Sequence, residues 1–341
     1  MWVKNFDVYT KTLFVFCLLF SLFIILTYPL SPPTFDQGMH LTISLFYYDL
    51  TRYVIKNGFS NIFDYAINYL VHYPKLSIVY PPLYHFLISL AFNFSISVLT
   101  GRIVTLLFSL GAILVTYKTI ESLINKKTAL LTSFFLGFAP VFVTNGRLVM
   151  MTTPLLFFSL LTFYVYLKAF KKKSLKIFLF AGLLLTLSFL TKWMGIIVVP
   201  IVFLYWFFEY GDRILLKKTI ISLLFALLLV SPYLYLAKTY HLIELTIKGP
   251  FKSGYVEKDP QFTEIAGWLY YPQKLLEQLS FPLGILSLMA TIFYVTGRKK
   301  NWKLITLWIL ITYLTFTVCL LYTSDAADEG LGVDLGGRRI I

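Results

Sequence analysis

The sequence predicts an all-α, polytopic membrane protein, and three observations carry that prediction. Of the 341 residues 58% are hydrophobic and only 13% charged, about half the ~25% charge of an ordinary soluble domain. The apolar residues fall in long runs nearly free of charge. The basic residues collect between those runs, so the formal charge of +14 reads as membrane topology and no nucleic-acid partner is expected. The 18% aromatic content suits rings placed in lipid and at both interfaces.

Taken in order, the runs are Leu13–Leu30, Ile103–Leu123, Ala129–Val143, Leu155–Leu167, Ile177–Leu190, Ile196–Phe208, Ile220–Leu236, Leu283–Val295 and Leu304–Leu321. They give about nine expected spans, the shorter ones reaching the ~18-residue length with uncharged polar flanks. The first reads as a retained span and not a cleaved signal, because Ser31-Pro32-Pro33 follows it in place of a small-residue cleavage site. Cys17 and Cys319 both fall inside runs and predict neither a disulfide nor a metal site.

Lysine and arginine set the orientation. Lys126-Lys127, Lys168 through Lys176, Arg213 with Lys217-Lys218, and Arg298-Lys299-Lys300 with Lys303 form four basic clusters, which the positive-inside rule places in the cytoplasm. Lys4 and Lys11 hold the N-terminus on the same side. The loop Ser31–Tyr80, the turns near Arg147–Thr153 and Thr191–Gly195, and the loop Ala237–Leu279 then face outward. Parity requires that one of Pro82–Leu99 and Ile103–Leu123 does not cross. Pro82–Leu99 opens on Pro81-Pro82 and contains His85, Asn93, Ser95 and Ser97, so it is expected to be a juxtamembrane or re-entrant helix. Within the long outer loop, Gln37–Lys56 reads as an amphipathic helix and Asn61–Val71 as a shorter one. Thr34-x-x-Gln37 has the form of a capping box, and Asp36 is itself an N-cap type.

Charges are rare in spans, so a reaction site is expected at their outward ends. There Asp36, His40 one helical turn later, Arg147 and Lys192 converge, with Tyr80 and His85 flanking Pro81-Pro82. One carboxylate with several cations suits transfer from a lipid-linked phosphate. The cations Lys192 and Arg147 neutralise the leaving phosphate, and Asp36 acts as general base on an acceptor hydroxyl. No carboxylate pair of the glycosidase kind stands out. Each residue also has a plainer role. Asp36 would cap the helix, His40 would sit solvated, and Lys192, Arg147 and Arg102 would snorkel to the interface. Glu244, Glu257, Asp259 and Glu264 read as solvated surface.

These residues resemble those of the GT-C superfamily of membrane glycosyltransferases, which includes protein O-mannosyltransferases and lipid A aminoarabinose transferases. The resemblance runs over about residues 8–210 and rests on five anchors in order. They are Phe35-Asp36-Gln37-Gly38-Met39-His40, Tyr80-Pro81-Pro82-Leu83, Gly101-Arg102, Pro140 through Arg147 to Pro154-Leu155-Leu156-Phe157-Phe158, and Leu190-Thr191-Lys192 before Gly195. It implies that Asp36 is the essential acid of the first outer loop and that Thr191-Lys192 is the family's Thr-Lys pair. It also implies inverting transfer of a hexose or pentose from a polyprenyl or dolichyl phosphate to a protein, lipid or glycan, at the outer face of a multi-pass protein of the cell membrane. Two departures stand out. Gln37 occupies the place of a Glu and Thr152 that of an Asp found in many members. No cofactor is therefore assigned, a divalent cation is left open, and an inactive member that only binds lipid-linked sugar becomes an alternative. A transporter or flippase is the other alternative, disfavoured by the lack of an internal repeat and of paired Gly/Pro breaks.

Residues 1–322 are expected to form one membrane-embedded module. Residues 323–341, from Thr323-Ser324-Asp325 to Arg338-Arg339-Ile340-Ile341, are Gly- and Asp-rich in a chain that is neither. They resemble a translated sequencing-adaptor read, so the natural chain is expected to continue beyond about Leu321.

Overall fold

Asp7 starts the first helix by accepting the Thr10 N–H at 2.9 Å, satisfying a donor that the first turn leaves open. A computed structural model of the protein describes residues 7–28, 34–73, 76, 80–239, 265–297 and 302–318. The expected tail, Cys319 and the four acidic residues between Glu244 and Glu264 lie outside these. In chain order the described residues form α1 (Val8–Thr27), α2 (Phe35–Asn57), α3 (Ile62–His72), α4 (Leu83–Ala91), α5 (Val98–Leu123), α6 (Lys126–Phe138), α7 (Pro140–Arg147), α8 (Thr152–Lys172), α9 (Leu175–Thr191), a 3-10 turn (Trp193–Ile197), α10 (Val198–Glu209), α11 (Arg213–Thr239), α12 (Ile265–Leu279), α13 (Phe281–Thr296) and α14 (Trp302–Val318). No strand occurs among them, as expected of an all-α membrane fold.

The helices carry the mark of a lipid solvent. On α1, Leu13, Phe16, Phe20 and Ile24 are buried, while Phe14, Leu18 and Leu22 on the other side are each more than half exposed. A helix apolar on its open face as well as its packed face belongs in hydrocarbon. By length and composition α1, α5, α8 and α11 can each cross a membrane. The α6–α7 pair passes the same test when taken together, with a 62° bend that makes it a broken span or a re-entrant loop. The remaining four expected spans are shorter apolar helices, α9, the 3-10 turn with α10, α13 and α14, which fall short of the ~18-residue length without their polar flanks.

Two expected elements are corrected. Ala129–Val143 is not one continuous helix, because Pro140 has no N–H to continue it and drives Ala139 to an extended ψ of 122°. Pro82–Leu99 is not one helix either. After nine residues of α4 the chain turns, and Ser97 caps α5 by accepting the Thr100 N–H at 3.2 Å. At 1.5 Å per residue α4 is about 14 Å long, half of a ~30 Å hydrocarbon core, so it does not cross.

Packing divides into three apolar clusters. One joins α8, α9, α10, α11 and α14 around Phe163, Phe170, Phe178 and Tyr205. A second joins α1, α5, α6 and α7 around Phe16, Phe20, Ile113 and Phe142. The third is small and seats the α2–α4 platform through Tyr48, Tyr84, Ile88 and Phe92 against Val149 and Met151, with Val104 and Phe108 of α5 beside them. Small residues allow close backbone approach, as membrane helix packing favours. A Cβ on Gly182 of α9 would lie 2.5 Å from the Ser222 carbonyl oxygen of α11.

Candidate functional site

The site grows from the first turn of α2. Thr34, not Asp36, is the N-cap, and its hydroxyl accepts the Gln37 N–H at 3.4 Å. The capping role expected for Asp36 is therefore taken by Thr34, and Asp36 sits inward at 7% exposure. The other half of the capping box does not form. Instead of reaching back to the cap, the Gln37 side chain turns into the protein, where it is fully buried.

Its partner is Arg102 on α5. The guanidinium Nε donates to Gln37 Oε1 at 3.1 Å and Nη1 donates to the Tyr28 carbonyl at 2.8 Å. The Tyr28 hydroxyl returns a hydrogen bond to the Arg102 carbonyl at 3.1 Å, and the guanidinium carbon lies 5.6 Å from the centre of the Tyr28 ring. Arg102 is 5% exposed and does not snorkel. It ties the end of α1, the start of α2 and the start of α5 into one corner. Close packing enforces the same corner, since a Cβ on Gly101 would meet Leu41 at 2.8 Å and Val149 at 2.9 Å. The signal for Arg102 was present in the sequence as a charge directly at the start of the apolar run Ile103–Leu123, where charge is costly and usually functional.

One turn along α2, His40 Nδ1 lies 3.0 Å from His85 Nε2 of α4, with the Tyr80 ring centred 5.5 Å from that of His40. Both imidazoles are buried. Burial pushes His40 down to about 3, helped by the charge of Lys192. Burial also holds His85 well below the usual histidine range, with the neighbouring His40 adding to the effect and the Pro81 carbonyl opposing it. That carbonyl lies near the ring without meeting hydrogen-bond geometry at Nδ1. The pair is thus neutral, one ring donating to the other. The solvated role weighed for His40 does not occur.

Lys192 ends α9. Its backbone is extended (φ −155°, ψ 140°) and the 3-10 turn begins at the next residue. Gly195 lets that turn fold back on α9, since a Cβ there would lie 2.5 Å from the Ser188 carbonyl carbon. The Lys192 side chain is 2% exposed, so it too is no snorkelling anchor. Arg147, the last residue of α7, is half-buried. It stands close enough to Arg102 for the two charges to interact, and its Nε is buried without a partner. At the start of α8 the hydroxyls of Thr152 and Thr153 are buried without partners as well. The fold thus links Gln37 with Arg102 and Arg147, and His40 with Tyr80, His85 and Lys192; Asp36 adjoins Gln37 in the first turn of α2, and Thr152 opens α8.

The donor set is poor for a metal. Among the described residues no group of three or more His, Cys, Asp or Glu could hold one. The two buried imidazoles spend a nitrogen on each other, Gln37 is committed to Arg102, and Thr152 offers no carboxylate. The site does not fit a divalent cation of the kind held by carboxylates, and no step below uses one.

A protein-family model described as dolichyl-phosphate-mannose-protein mannosyltransferase matches residues 79–236. It covers His85, Arg102, Arg147 and Lys192 and leaves Asp36, Gln37 and His40 outside. The match spans a little under half of the chain, and over that stretch the protein is similar to GT-C glycosyltransferases of the mannosyltransferase type. No curated protein and no solved structure matches the chain.

Proposed function

We propose that this protein transfers a sugar, with inversion, from a polyprenyl or dolichyl phosphate to an acceptor at the outer membrane face. The observation that carries the reading is the burial of one carboxylate, Asp36, at the α2–α4 platform where Arg102 and Lys192 are buried too. In inverting transfer the acceptor hydroxyl attacks the anomeric carbon as the bond to the phosphate oxygen breaks. The electron pair leaves with the phosphate, and the hydroxyl proton passes to Asp36. Phosphate departs as an anion, so no general acid is needed, and Lys192 and Arg147 stabilise its charge as it develops. His40, His85 and Tyr80 line the substrate side, and Thr152 adds a hydroxyl.

Conversion of Asp36→Asn tests the base directly. Asn keeps the size and most hydrogen-bonding capacity of Asp but takes up no proton. Transfer of radiolabelled sugar from a lipid-phosphate donor should fall by about 10²- to 10⁴-fold, with the protein still inserted and folded. Near-normal transfer would end the general-base role. The replacement of two family acids by Gln37 and Thr152 favours a second reading, a member that holds lipid-linked sugar without turning it over. Donor binding with no transfer in the unaltered full-length protein would establish that reading instead.

A further inference from the structure

Arg102 fixes more than the position of Gln37. A guanidinium can only donate hydrogen bonds, so the Gln37 atom 3.1 Å from Arg102 Nε must be Oε1. The amide can then not be flipped, and Nε2, with two N–H donors, is forced to the other side of the side chain. There it is buried and has no partner, although Gln37 has no exposed surface at all. A buried donor left unsatisfied is destabilising and calls for a ligand.

The surroundings say which kind. Arg147 Nε is a second buried donor without a partner, close enough to Arg102 for their charges to interact. Gln37 stands in the first turn of α2, a helix of 23 residues whose N-terminus carries partial positive charge. Beside the buried Asp36 carboxylate this corner holds several donors and positive charges, and the chemistry that meets those donors is an oxyanion.

We infer that Gln37 Nε2, held by Arg102 on the far side of the amide, donates a hydrogen bond to the phosphate group of the lipid carrier. The inference rests on the proposed use of a lipid-phosphate donor and deepens it. Gln37 then has a chemical role of its own. A carboxylate at this position would present only acceptors, and negative charge, to the phosphate.

Binding of undecaprenyl phosphate and of undecaprenol to the full chain in lipid nanodiscs tests this. Gln37→Glu keeps an acceptor for Arg102 and removes the donor. Gln37→Met removes both in a side chain of similar length. Each variant should bind the phosphate lipid about tenfold more weakly or worse, and undecaprenol as the unaltered protein does. Retained undecaprenol binding doubles as the check on folding. Loss of neither lipid, or of both alike, overturns the inference. If the unaltered protein shows no preference for the phosphate, the lipid-phosphate reading falls as a whole. If Lys192→Met loses the preference and both Gln37 variants keep it, only the role of Gln37 falls.

Discussion

The two ends of the helical bundle use the same residue types in opposite ways. At the end carrying the lysine-rich loops, charges pair at the surface. Lys126 meets Asp7, Lys118 meets Glu121 at 2.9 Å, and Lys173 lies 3.8 Å from Asp212. Further lysines cap open carbonyls, Lys171 at Ser122 and Lys218 at Lys173. At the opposite end Asp36, Arg102 and Lys192 are almost wholly buried. Exposed pairs are screened and contribute little, whereas buried charge is retained against a large desolvation penalty. The first end is built for topology and solubility. The second accepts a structural penalty that a substrate can offset, which is why the site is assigned there.

Three experiments separate the ends, beginning with the largest expected effect. Lys192→Met keeps the aliphatic stem and deletes the charge. It should raise the donor Michaelis constant, lower turnover, or both, by about ten- to a hundredfold, while Lys192→Arg retains part of the activity. Parameters within twofold of the unaltered protein would remove Lys192 from the site and erase the contrast there.

The histidine pair predicts a pH effect confined to the buried end. Both imidazoles titrate below free histidine in the folded protein. As pH falls through about 6.5 the unfolded chain takes up protons that the folded one refuses. Stability is therefore complete above that pH and declines as pH drops toward about 3, the folded value for His40. The slope reaches at most about 1.4 kcal/mol per pH unit for each imidazole. Unfolding midpoints measured between pH 7.5 and 5 should fall with pH, and less steeply in His40→Asn. Equal slopes in the two proteins would show that the rings are solvated after all.

The smallest effect is expected at the paired surface. The Lys126 ammonium beside it, with the Thr10 N–H, holds the Asp7 carboxyl down to about 2. A depressed carboxylate lends its stability above about 4, the ordinary value, and loses it only as pH falls toward 2, so nothing changes between pH 5 and 8. Lys126→Met should leave sugar transfer within about twofold and the unfolding midpoint unchanged across that range. A large loss of transfer would mean that the two ends are coupled, and the comparison would need to be redrawn.

Legibility differed along similar lines. Long apolar runs, the lysines between them and the polar Pro82–Leu99 stretch made the all-α membrane class readable, because lipid demands internally satisfied helices and positive charge marks the loops. Asp36, His40, His85 and Lys192 could be singled out because charge and histidine are conspicuous at the ends of apolar runs. Their burial could not, since an interfacial lysine looks the same in sequence whether it snorkels or points inward. The break at Pro140 was visible as a proline, but its 62° bend emerges only when both halves pack. Arg102 was misread because its partners, Tyr28 and Gln37, lie 74 and 65 residues away in sequence.

The sequence by itself determined the solvent, the helices and the kinds of group at their ends, since hydropathy and charge act locally along the chain. The tertiary structure alone decided that Asp36 turns inward, that the histidines face each other, and that Gln37 is held by Arg102. Those outcomes depend on which helix ends meet, and non-local packing settles that where no local pattern can record it.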